Sequence, residues 1–125
     1  MNRERKKNLI KYPKPQTKKK RRKHAASIMQ PKDGKCWICS RVYQCYRKYP
    51  NIQKHHVFFG HGLREISEAN GFTVYLCPWH HTDGPNAVHR NQDANRLVQA
   101  ATQSRYETTH TREEFMALIG RNYIQ

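Results

Sequence analysis

Two short turns constrain this chain more than anything else in it: Cys36-Trp-Ile-Cys39 and Cys77-Pro-Trp-His80. Each places two soft or borderline donors three residues apart. Together they supply four ligands, the number and kind that a structural zinc takes in a tetrahedral site. Closing both turns on one ion forces the intervening segment, about 40 residues, into a hairpin, and the binding free energy adds directly to folding. Cys45 competes with His80 for the fourth position. The plainer alternative is a set of buried free cysteines beside a surface histidine.

A staple matters because little of the chain can form a core. The 125 residues make one domain at most. Residues 1–32 hold 13 of the 24 Lys and Arg and one acid, Glu4, so they carry +12 of the formal +15. Residues 33–125 carry +3, eleven basic side chains against eight acidic. The run Lys18-Lys19-Lys20-Arg21-Arg22-Lys23, with Pro13, Pro15 and Pro31 around it, has too little apolar content to fold and reads as a disordered basic arm. Such an arm binds polyanions by releasing condensed counterions, which favours nucleic acid over an anionic membrane or a merely solubilising role. A membrane partner is not expected, since no apolar run approaches the roughly 20 residues of a span, and the arm lacks the apolar stretch of a secretory leader. Residues 33–125 are then near the size at which a core alone is marginal. Without a secretory leader, four cysteines point to metal rather than disulfides.

The body reads as α+β. Asp33-Gly34 turns into Cys36–Cys39 as a tight knuckle, and the aromatics of "VYQCYRKYP" read as packing residues. "KHHVFF" has strand composition and stops at "GHG"; "LREISEANG" is a helical turn or ordered loop; "FTVYLC" is a second strand. A helix is predicted from about Asp93, as its cap, to Glu107, with Leu97, Val98 and Ala101 on one face. A last helix opens on a capping box at Thr111 and Glu114 and carries Phe115, Leu118 and Ile119.

With His80 assigned to zinc, five of the other seven histidines, His55, His56, His61, His81 and His89, fall within 35 residues. Neighbours in a strand point to opposite faces, so His55 and His56 cannot share one. The zinc turn throws His81 toward that pair. One imidazole can then share a second metal with His81, and the other is free to act on water.

The order C-x-x-C, His-His on a strand, an Asn-bearing loop and C-x-x-H-H resembles the HNH, or ββα-metal, endonuclease family. Small phage and prophage HNH proteins, including recombination-enhancement nucleases, are the nearest resemblance. The shared stretches are "HHVF-G", "SE--G--VYLC--HH", a following "VH" and "EF---IGRNY", from about Cys36 to Ile124. The resemblance implies a zinc-stapled ββα-metal domain over 33–125 with C-terminal helices. It implies His55 and His81 as catalytic metal ligands, His89 (or, less well, Asn86) as the third, and His56 as general base. Asn70 stands nearest to the family's middle Asn, a site residue that orients the base or braces the loop, although it lies unusually close to a glycine. His61 is expected to face solvent or a phosphate, and Arg64, Arg90 and Arg96 are candidate phosphate clamps.

The expected chemistry is hydrolysis of DNA phosphodiesters. An imidazole with an ordinary pKa of about 6.5 takes a proton from water at cell pH. A divalent cation, Mg²⁺ by resemblance though imidazoles also suit Mn²⁺, Ni²⁺ or Zn²⁺, neutralises the developing charge. The resemblance further implies 5′-phosphate products, a phage-encoded protein in the bacterial host cytoplasm, and a recombinase or other DNA-processing protein as a second partner. RNA as substrate stays open. A zinc-stapled nucleic-acid-binding protein without catalysis is the alternative. A deaminase is not expected, since H-x-E followed by P-C-x-x-C does not occur.

Overall fold

The computed structural model describes residues 23–124. Lys18, Lys19, Lys20, Arg21 and Arg22, and with them the disorder expected of the arm, lie outside the described residues.

The order is α1 (Trp37–Tyr43), β1 (Gln53–His56), α2 (Leu63–Asn70), β2 (Thr73–Leu76), a π-helical turn (Trp79–Asp83), α3 (Gln92–Tyr106) and α4 (Arg112–Ile119). This is a small α+β fold. The strands form one antiparallel ladder with Gln53 opposite Leu76 and His56 opposite Thr73. Strand β1 begins two residues before the histidine pair and stops at His56, because Val57 and Phe58 turn inward and are fully buried. Phe58 meets Phe72, Phe115 and Tyr123 at ring distances of 5.3–5.6 Å, and Phe72 meets Tyr106 edge-on at 5.3 Å. These rings, with Val74, Leu76, Val98 and Ile119, form the core between the hairpin and the C-terminal helices. Aromatic pairs of this kind stabilise by about 0.5–1.5 kcal/mol beyond the area they bury.

The knuckle expected at Cys36–Cys39 is the start of a helix. The Cys36 side chain accepts from the Cys39 N–H and caps α1. Of the aromatics after it, Tyr43 and Tyr46 are more than half exposed, while Tyr49 packs against the core. Helix α2 is a full helix, anchored where the buried Ser67 hydroxyl donates to the Phe58 carbonyl at 2.7 Å and accepts from the Phe58 N–H at 3.2 Å. Helix α3 starts one residue before Asp93, because Asn91, not Asp93, adopts the extended cap conformation and accepts from Ala94. On it Val98 is buried, while Leu97 is exposed. The capping box of α4 is present as expected.

The sequence places residues 24–32 in the arm, but 25–30 are docked on the body. Ala25 donates to the Glu68 carbonyl at 3.0 Å and Ile28 to the Gly71 carbonyl at 2.9 Å. The Gln30 side chain accepts from Tyr75 at 2.6 Å, and the Ser27 hydroxyl bonds the Thr73 carbonyl. Composition misses this because the anchoring groups are mostly main chain. Gly71 permits it: its φ is +73°, and a Cβ there would overlap the Ala26 carbonyl oxygen.

Candidate functional site

The C-terminal end of β2 runs straight into a turn that carries two adjacent histidines. His80 and His81 both donate their N–H to the Cys77 carbonyl, and Gly84 closes the π-helical turn onto Trp79 at 2.8 Å. Turns of this kind are frequent at functional sites because they re-aim side chains. Here the turn sends His80 back toward α1 and His81 toward β1.

His80 completes a buried group with Cys36, Cys39 and Cys77 that can hold a metal such as zinc. Its Nδ1 lies 3.7, 3.3 and 3.4 Å from the three sulfurs in that order, and the Cys39 and Cys77 sulfurs are 3.9 Å apart. A tetrahedron with Zn–S near 2.3 Å and Zn–N near 2.0–2.1 Å has edges of about 3.5–3.8 Å, so the donor set fits. The thiols are free, with no disulfide among them. Burial pushes the Cys36 thiol up to about 12 and raises that of Cys39, so a nearby cation is what would favour the thiolate there. Cys45 is not in the group, which leaves His80 as the fourth member. A contact that sequence gives no sign of is the Tyr49 hydroxyl, 3.2 Å from the Cys39 sulfur.

His55, His81 and His89 form a second group. The ring centroid of His55 stands 5.2 Å from that of His81 and 4.9 Å from that of His89, and those of His81 and His89 are 4.7 Å apart. His89 arrives there through the backbone: Val88 donates to the His80 carbonyl and His89 to the His81 carbonyl, at 2.9 and 3.2 Å. Asn86 accepts from Asn91 at 3.3 Å. Gln53, two residues before His55 and so on the same strand face, accepts from His81 Nδ1 at 2.6 Å. That contact leaves His81 Nε2 facing the group, 3.2 Å from Nε2 of His89. Adjacent ligands at about 2.1 Å from one ion lie about 3.0–3.4 Å apart. His55 is 2 % exposed, and its Nε2 has no hydrogen-bond partner. Burial, then His89 and His81, lowers its pKa to about 3, and burial lowers His81 as well. His55 is therefore neutral, as a metal ligand must be. A buried, unpartnered nitrogen costs about 1–3 kcal/mol, and a cation at this point would remove that cost.

His56 points the other way. Its Nε2 lies 2.6 Å from Oε1 of Glu68 on α2. Glu68 also takes Lys54 at 2.9 Å and His24 at 2.8 Å. Lys54, then His24 and more weakly His56, hold its carboxyl down at about 2 against an opposing push from burial. Glu68 is the site residue that sequence reading misses: it lies twelve positions from His56, with no periodicity linking them. A cavity of about 820 Å³ beside the pair is lined by Lys23, His24, Arg64 and Glu65 among others. Asn70 does not reach His56; its side-chain amide donates to the Ile66 carbonyl at 2.8 Å at the end of α2. The Arg90 guanidinium donates to the Asp83 carbonyl at 2.8 Å, His61 is exposed at a positive φ of 50°, and Arg96 lies by Arg121 near the C-terminus.

Among the described residues no helix is long and apolar enough to cross a membrane. No protein-family model, curated protein or solved structure matches the chain. The two histidine environments, on opposite faces of β1, must be read from their own chemistry.

Proposed function

We propose that this chain is a metal-dependent endonuclease of the HNH kind, hydrolysing DNA phosphodiester bonds. The observation that carries the reading is the division of labour across β1. His55 joins His81 and His89 in a nitrogen-rich group with one buried unpartnered atom, while the next residue, His56, is held by a carboxylate.

Each side chain then has a task. Glu68 accepts the Nε2–H of His56, which fixes the tautomer and leaves the Nδ1 lone pair to take a proton from water. The ionised carboxylate also stabilises the imidazolium that results. A divalent cation on His55, His81 and His89, Mg²⁺ or a softer ion such as Mn²⁺, would supply charge neutralisation at the phosphate and the departing oxygen. Gln53 orients His81 for that role. Arg64 and Lys23, on the cavity beside His56, provide cations for the phosphates of the strand. The Cys36, Cys39, Cys77 and His80 group is structural, since all four are buried. A phage origin, work on recombining DNA beside a recombinase, and a place in the host cytoplasm accord with the motif resemblance and belong to the same proposal.

The deciding experiment is a cleavage panel of plasmid, linear duplex, single strand, junction and RNA, with Mg²⁺ and with Mn²⁺. Wild type should cleave DNA only with added cation, and His56→Ala should bind but not cut. A purified His56→Ala protein that nicks plasmid at the wild-type rate would remove the mechanism. Wild type that binds but never cuts would favour the zinc-stapled binding module.

A further inference from the structure

Residues 35–54 hold Lys35, Arg41, Arg47, Lys48 and Lys54 and not one acid. Within this stretch α1 and the loop after it present apolar surface to water. Tyr43 is 55 % and Tyr46 58 % exposed, and Val42 between Arg41 and Tyr43 is also exposed. Neither ring belongs to the buried core, which takes Trp37 and Ile38 from this stretch and Phe58, Phe72, Tyr106 and Phe115 from beyond it.

Their presentation is ordered. Tyr43 lies flat on His80, with centroids 5.6 Å apart and planes 10° from parallel, so one face of the ring is backed and the side chain is still more than half exposed. The Lys35 ammonium stands 6.0 Å from the centroid of Tyr46. The guanidinium of Arg47 sits 5.0 Å from the Tyr49 ring, and the loop is tied back to the knuckle by the pairing of Lys35 with Lys48. Exposed tyrosines interleaved with cations, in a stretch without acids, match a strand whose bases are unpaired and whose phosphates run alongside. A duplex offers the charge but keeps its base faces stacked inside, so it could use the lysines and arginines without using the rings.

We infer that the exposed face of α1 and the loop to Lys48 is a stacking platform for single-stranded nucleic acid, with Tyr43 and Tyr46 receiving bases and Arg41, Arg47 and Lys48 receiving phosphates. This goes beyond the proposed nuclease activity and holds whether or not the chain cleaves. The platform is sequence-tolerant, because every base has a π face. It also accounts for two tyrosines after the knuckle being more than half exposed.

The test is fluorescence-anisotropy binding of the full-length, zinc-loaded chain to labelled oligothymidylate, the matching oligouridylate and a duplex of equal length. Tyr46 is the decisive position, since its described ring partner is Lys35 and not a zinc-group residue. Tyr46→Ala should weaken single-strand binding about fivefold or more, and leave duplex binding within about twofold of wild type. Tyr46→Phe should behave as wild type, and Lys48→Gln should flatten the single-strand salt slope by about 0.7. Loss on the thymidylate or the uridylate strand identifies which nucleic acid uses the platform. Tyr46→Ala binding both strands as tightly as wild type overturns the inference, as does equal loss on single strand and duplex.

Discussion

Replacing His55 with leucine separates a metal-binding histidine from a merely buried one. The side chain is almost fully enclosed, and its Nε2 lacks a partner. Leucine has similar volume and no polar atom, so the substitution relieves a penalty of about 1–3 kcal/mol. For a domain of about 100 residues, 1 kcal/mol corresponds to roughly 4 °C in Tm, so His55→Leu should melt about 4–12 °C higher without added cation. Adding Mn²⁺ or Ni²⁺ to zinc-loaded wild type at about a hundred times its Kd should contribute about 2.7 kcal/mol, close to 10 °C. The variant should show no such shift. Scanning calorimetry of both proteins, with zinc content held constant, reads the difference directly. A wild-type Tm indifferent to the cation, or a His55→Leu protein that keeps the full shift, would refute the idea that His55, His81 and His89 form a site.

Three further outcomes follow from the same geometry. Stripping the zinc group with a strong chelator, or Cys77→Ser, should abolish the cooperative melt seen by circular dichroism, because a structural zinc contributes about 10–16 kcal/mol against a typical domain stability of about 5–15; elemental analysis should find one zinc per folded chain before treatment and none after. Glu68 has its pKa lowered from 4.5 to about 2, so its contribution is fully present above about 4.5 and is lost as pH falls through about 2; acid titration should therefore show wild type losing stability more steeply than Glu68→Gln across that window, and parallel curves would contradict the ion cluster. Removing residues 1–22 should lower the salt dependence of DNA binding and leave Tm unchanged, whereas removing 1–32 should cost several kcal/mol in urea unfolding, since each lost hydrogen bond to α2 and β2 is worth about 0.5–1.5 kcal/mol.

The C-x-x-C and C-x-x-H turns were legible in sequence because metal chelation has its own spacing, independent of what the chain does between the turns. The opposite facing of His55 and His56 was legible too, since it needs only the twofold period of a strand, and the same period places Gln53 beside His55. The capping box of α4 was readable because a cap is a local contact. Tyr43 and Tyr46 misled because tyrosine composition is the same in a core and on an open surface, whereas Tyr49 packs as expected. The partner of Asn70 was not legible: its side-chain amide takes the backbone carbonyl of Ile66, one turn back in the same helix.

What the sequence by itself determined is therefore the set of parts: four soft ligands, a strand with divided histidines, a basic lead-in and two closing helices. Only the tertiary structure decided their partners. The choice of His80 over Cys45, the meeting of His89 with His55, and Glu68 as the residue that holds His56 are all contacts between segments far apart in the chain. The physical reason is that chelating turns, caps and strand alternation act over a few residues, whereas which distant carboxylate or imidazole meets them depends on how the hairpin and α2 pack on the Phe58 core. The docking of residues 25–30 belongs to the same class, since main-chain hydrogen bonds leave no mark in composition.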